Sequence, residues 1–143
     1  MSLFSRILVA YDGSPGSERA LDAAIHLAGE QKASLLILSI VEGVPRFAGT
    51  IDEVDDAVRG QTEALTERQA QARRKAEEYG ITNIKTEIRV GHAAQLIVEA
   101  AGHEHADLLM LGRSGHSQVW GRFMGSTADK IVRHVPCSVF IAH

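Results

Sequence analysis

Five short apolar runs, rich in leucine and β-branched residues, recur along the chain: Arg6–Ala10, Ser34–Val41, Ile84–Val90, 107–111 and Ser138–Ala142. Most are continuously apolar rather than alternating, which is how parallel strands read when helices cover both faces of a sheet. Between them the spacing of apolar positions changes to steps of three and four. Ser14 followed by Pro15 predicts an N-cap and first helical residue, after which Ala20, Leu21, Ala24, Ile25, Leu27 and Ala28 mark one helix face. Residues 42–56, with Gly43, Pro45, Gly49 and an acidic patch, read as a loop too long to be a mere connector. From about Ala57 to Tyr79, Val58, Leu65, Ala72, Ala76 and Tyr79 keep helical phase among many charges, and Gly80 ends it.

A third helix is marked by Ala93, Leu96, Ile97, Ala100 and Ala101, closed by Gly102 and the turn His103-Glu104-His105. Ala128, Ile131, Val132 and Val135 mark a fourth, with Ser126 or Thr127 as N-cap and Pro136 beyond its end. The order is β-α-β-α-β-α-β-α-β, in which each intervening helix favours a parallel neighbour through a right-handed crossover. The expected fold is therefore an α/β three-layer sandwich, a single domain over 1–143, without an internal repeat.

Composition narrows the function more than the fold. With 15 Lys plus Arg against 18 Asp plus Glu, the formal charge of −3 argues against a strongly basic nucleic-acid binder. Hydrophobic residues at 45% and charged residues at 23% are globular proportions. A chain this long buries roughly 70% of its unfolded surface, enough for a core without disulfides or a structural metal. The single cysteine, Cys137, cannot form an intramolecular disulfide and reads as a buried, inert thiol. No apolar run approaches the roughly 20 residues that span a bilayer, so no membrane insertion is expected, and a reducing cytoplasm is the expected location.

In an open parallel sheet, ligands bind beyond the carboxyl ends of the strands where the strand order reverses. The loop after the first strand, Tyr11-Asp12-Gly13-Ser14, carries a carboxylate at the strand tip. Asp, Gly and Ser are also ordinary turn residues, but Ser14 already fills the cap role, which leaves Asp12 available to a ligand. The loop after the fourth strand holds Gly112, Gly115, Gly121 and Gly125 and leads into Ser126-Thr127. Glycines let a backbone approach an anion, and a helix start supplies unpaired N–H groups. No Lys precedes Ser126, so this is not a Walker A loop, and it does not match G-x-G-x-x-G. The glycines read equally as turns. Arg113, His116 and Arg122 add positive charge that would suit a polyphosphate. His103 and His105 lack the spacing of a zinc site.

The spacing Gly-x2-Gly-x9-Gly-(Ser/Thr), here Gly112, Gly115, Gly125 and Ser126, resembles the ATP-binding signature of the universal stress protein family. Three further blocks, in order, carry the same resemblance: residues 6–14, 106–112 and 135–141. It implies a five-stranded parallel sheet of order 3-2-1-4-5 with four helices, reversing between strands one and four. It also implies an adenine nucleotide as ligand, ATP, which Mg2+ or another divalent ion could accompany. Asp12 would then contact the sugar or base, Ala10 and Ile40 would line the adenine pocket, and Gly112, Arg113, Gly115, Gly125, Ser126 and Thr127 would surround ribose and phosphates. Family members often carry proline where Ala93 stands and a smaller aliphatic residue near Trp120. The resemblance further implies a homodimer through the C-terminal edge strand, and a stress-response role with a protein partner that the residues do not name.

Phosphoryl transfer needs a group to orient the nucleophile, and Asp12 has no second nearby carboxylate and no Asp-x-Asp context. The chemistry reads as holding a nucleotide. Slow ATP hydrolysis or phosphotransfer in the same crevice, cyclic-nucleotide binding, and nucleotide-independent interaction are the alternatives.

Overall fold

A computed structural model describes residues 3–42, 51–113 and 126–143. The elements are β1 (Arg6–Ala10), α1 (Pro15–Gln31), β2 (Ser34–Val41), α2 (Ile51–Tyr79), β3 (Ile84–Val90), α3 (Ala93–His103), β4 (Leu108–Gly112), α4 (Ser126–His134) and β5 (Ser138–Ala142). The strands form one sheet in the order β3-β2-β1-β4-β5, and every pair is parallel. The order reverses between β1 and β4, as the family resemblance implied.

Because successive strand residues point to opposite faces, the apolar runs divide into two cores. Ile7, Val9, Leu35, Ile37, Leu108 and Met110 pack beneath α1 and α2 with Leu21, Ala24, Ala72 and Ala76. Leu8, Leu36, Leu38, Leu109 and Leu111 pack beneath α3 and α4 with Ile97, Ala100, Ala101 and Ile131. Continuous rather than alternating apolarity in β1, β2 and β4 is the consequence of burial on both faces. The outer strand β5 instead alternates between exposed and half-buried positions.

Three element starts differ from the sequence reading, and β4 and α3 each also run past their expected ends, to Gly112 and His103. α2 starts at Ile51, within the stretch expected to be loop. Ile51 and Val54 extend the three- and four-residue spacing toward Val58, and Asp52 and Glu53 suit the positive end of a helix dipole. At 29 residues α2 is about 43 Å long, whereas the eight residues of β2 span only about 26 Å. The N-terminal half of α2 therefore overshoots the carboxyl edge of the sheet, and its buried residues, Gln69, Ala72 and Ala76, all lie in the other half. The rest of the expected loop, 43–50, lies outside the described residues. β4 begins one residue late, because Asp107 serves as a clamp. Its carboxylate accepts hydrogen bonds from Ser5 N (2.8 Å), Ser5 Oγ (2.9 Å) and Arg6 N (3.1 Å), tying the start of β1 to β4. Ser126 and Thr127 are the first residues of α4 rather than its N-cap.

Tyr79, expected on the buried face of α2, is 44% exposed. Its ring lies edge-on to His26 of α1 at 4.7 Å, and its hydroxyl is 2.9 Å from His26 Nδ1. Cys137 is half-buried rather than buried, and burial is the main cause that pushes its thiol pKa up. Among the described residues no helix is long and apolar enough to cross a membrane. No group of three or more His, Cys, Asp or Glu among them is gathered to hold a metal ion.

Candidate functional site

The loop after β1 is built by short-range hydrogen bonds that its residue types dictate. Ser14 caps α1, its hydroxyl accepting from Ser17 N at 3.3 Å, and Pro15 occupies the first helical turn as expected. Gly13 takes φ +82°, a conformation that a side chain would strain. Asp12 is exposed at the strand tip. Its Oδ1 accepts from Ser14 N at 2.8 Å, so the carboxylate also has the turn-forming role that its residue type allows. Partial burial pushes the Asp12 carboxyl pKa up, but hydrogen bonding by Ser14 and Ser17 outweighs this and holds it below the ordinary value.

Beneath the turn, the hydroxyl of buried Tyr11 donates to Glu18 Oε1 at 2.5 Å. Burial first, then this bond and the Glu18 charge, push the phenol pKa well above its ordinary value, so Tyr11 stays a neutral donor. The Glu18 carboxylate is thereby engaged by Tyr11 next to the turn that carries Asp12.

β4 brings the second loop alongside. Val9 pairs with Met110, so Asp12 and Arg113 each stand three residues beyond a matched pair on adjacent strands. Arg113 N donates to Ala142 O at 2.9 Å, which anchors the strand end to β5. The first turn of α1 abuts β4 here without side chains between them. A Cβ on Gly112 would fall on the carbonyl carbon and oxygen of Gly16, and one on Gly16 would fall on Arg113 O. The two glycines permit a backbone-to-backbone approach at the reversal of strand order. Gly16 had no part in the sequence reading, although a glycine straight after the N1 proline, where helix formers are favoured, was a signal of close packing.

Ala10 and Ile40 are both half-buried and pack on the α3/α4-side core, at the carboxyl ends of neighbouring strands. Thr127 is exposed in the first turn of α4, where Ser126 begins the helix. Gly115 and Gly125, together with His116, Trp120 and Arg122, lie outside the described residues. Of the residues singled out from sequence, Ala10, Asp12, Ile40, Gly112 and Arg113 thus gather at one edge of the sheet.

A profile of the universal stress protein family matches residues 3–143. The chain belongs to the universal stress protein family. A universal stress protein of Thermus aquaticus, found in the 3' region of a sulfhydrylase gene, is 34% identical, covering 97% of this chain and 98% of that protein. Universal stress protein UspA from Lactobacillus plantarum superposes with a TM-score of 0.89 at 25% identity, over 100% of both chains. A universal stress protein solved in complex with cAMP has a TM-score of 0.70 at 29% identity, covering 99% of this chain and 98% of that one.

Two further groups at this edge were not found from sequence, and both come from α2. Arg68 Nη1 donates to Gly13 O at 3.3 Å. The buried amide of Gln69 donates to Ser39 Oγ (3.0 Å) and lies within reach of Ile37 O (3.2 Å) and Glu87 O (2.7 Å). In the sequence, Gln69 is a polar residue in the apolar phase set by Leu65, Ala72 and Ala76. That mismatch was the available signal. Arg68 left none, because an arginine on the polar side of a charged helix is ordinary.

Proposed function

We propose that this universal stress protein is an adenine-nucleotide-binding module of regulatory character, taking ATP in the crevice between the Asp12 turn and the Gly112–Arg113 strand end. The observation that carries this reading is the side-chain-free approach of Gly16 to Gly112 at the point where the strand order reverses, where α/β sheets take their ligands. α4 starts at the same edge, and the positive end of a helix dipole there would favour an anion. Ala10 and Ile40 would line the base and Asp12 would accept from the sugar or base. Gly112, Arg113, Gly115, Gly125, Ser126 and Thr127 would surround ribose and phosphates. Mg2+ or another divalent ion could accompany the phosphates. The relative solved with cAMP supports the nucleotide class and makes a cyclic monophosphate the competing ligand.

The module holds its nucleotide, and phosphate release no faster than from a Gly115→Arg control is the expected result. We further propose a homodimer through the edge strand β5, which ends the described sheet and leaves Phe140 44% exposed. The first experiment is to denature freshly purified protein and identify released small molecules by mass. ATP near one per chain is expected. If the protein purifies empty, calorimetric titration with ATP and with cAMP decides, and saturation at about 100 times Kd would add about 2.7 kcal/mol to its stability. Failure of both nucleotides to bind at millimolar concentration overturns the reading.

A further inference from the structure

The backbone carbonyls on either side of Asp12 are both held from one turn of α2. Gly13 O accepts from Arg68 Nη1 at 3.3 Å. Tyr11 O accepts from Ser39 Oγ at 2.5 Å, and Ser39 Oγ in turn accepts from Gln69 Nε2 at 3.0 Å. Asp12 therefore sits between two anchors that run to consecutive residues of a single helix. Neither anchor is supplied by β1 or α1, the elements that flank the turn.

The two anchors differ in kind. Gln69 and Ser39 are buried and also tie down strands, since the Gln69 amide reaches Ile37 O of β2 and Glu87 O of β3. Losing them would disturb the sheet as well as the turn. Arg68 is exposed and crosses over the turn, with its stem and guanidinium where a Cβ on Gly13 would stand. Its one hydrogen bond among those described is to the glycine whose positive φ lets the chain reverse. A guanidinium delivers that bond from a rigid planar group, and its contact with Gly13 restricts the residue with the greatest freedom in the turn.

We propose that Arg68 is a positioning residue for the nucleotide site: by clamping Gly13 from α2 it fixes the pose in which Asp12 meets the ligand. The proposal deepens the nucleotide reading and rests on it for its affinity effect, but the clamp itself exists without ligand. It also makes α2, whose N-terminal half overshoots the site, the element through which nucleotide occupancy and events on that helix are linked. Coupling of that kind is reciprocal.

The test uses the full chain, with Arg68→Ala and Arg68→Lys beside wild type. Affinity for ATP is measured by calorimetry, and amide hydrogen exchange at Ser14 and Ser17 is measured without ligand. Arg68 is exposed, so both variants should melt with wild type. Arg68→Ala should weaken ATP binding about tenfold, the share of one charge-assisted hydrogen bond, and speed exchange at both amides. Arg68→Lys, which can still reach a carbonyl with its ammonium, should recover part of both effects. Wild-type affinity in Arg68→Ala with unchanged exchange overturns the proposal, as does a lysine variant no better than alanine. If wild type binds no nucleotide, the nucleotide reading fails by itself. The exchange rates then decide the clamp alone, with unchanged protection in Arg68→Ala counting against it.

Discussion

Replacing Gly112 with alanine probes the contact on which the site depends. The added Cβ would overlap the carbonyl carbon and oxygen of Gly16 and lie 2.5 Å from Ser17 N. All of these are backbone atoms, so no side chain can swing away, and α1 and β4 must separate. Overpacking of this kind costs about 1–3 kcal/mol, and a rigid backbone on the far side puts Gly112 in the upper part of that range. Gly112 has no positive φ, so alanine returns about 0.4–1 kcal/mol by restricting the unfolded chain. The net loss is about 2 kcal/mol. Unfolding entropy near 2.1 cal/mol/K per residue gives about 0.3 kcal/mol/K for 143 residues, so Tm should fall by about 7 °C. Gly60→Ala is the control. It lies inside α2 with nothing within 4 Å of a new Cβ, and removing a mid-helix glycine should gain about 0.5–1 kcal/mol, raising Tm by about 2–3 °C. Thermal unfolding followed by circular dichroism measures both. A Gly112→Ala protein that melts within about 2 °C of wild type would refute the argument that the backbones must touch.

Stability should fall at both ends of the pH range, for opposite reasons. Asp12 and Asp107 have folded pKa values held below the unfolded value of about 3.9. Their contribution is complete above that value and is lost as pH falls through the folded values, so Asp107→Asn should flatten the acid limb of a denaturation midpoint plotted against pH. Tyr11 behaves in the reverse sense. Its folded pKa lies above the ordinary 10.0, so its contribution is present below pH 10 and is lost as pH rises beyond, and Tyr11→Phe should flatten the alkaline limb. At the edge strand, Phe140→Glu should lower the sedimenting mass toward a monomer while leaving the melting of a dilute sample unchanged, and an unchanged mass would remove β5 as the dimer edge.

The order and kind of the elements were legible because both are local properties. Four of the five strand runs have the expected ends. β1 and β2 read as nearly unbroken apolar runs because both faces are buried, whereas β3 and β5, the outer strands of the described sheet, keep apolar residues at intervals between polar or exposed ones. Asp12, Gly112 and Arg113 could be placed at one edge because, in a parallel sheet with helical crossovers, every strand presents its carboxyl end on the same side. The start of α2 was obscured because Gly49 and the acidic residues read as loop, and only the continued spacing at Ile51 and Val54 argued otherwise.

Contacts between residues distant in sequence were decided by the tertiary structure. Gly16 meets Gly112 across 96 positions, and Arg68 meets Gly13 across 55, a separation no periodicity encodes. A pattern of three and four states which face of a helix is buried. It does not state how far along the sheet the helix slides, and that offset sets Gln69 over Ser39 and Arg68 over the turn. The sequence thus determined the layers, the strand ends and the chemistry available there. Packing of α1 and α2 against the sheet decided which backbones touch and what holds Asp12 in place.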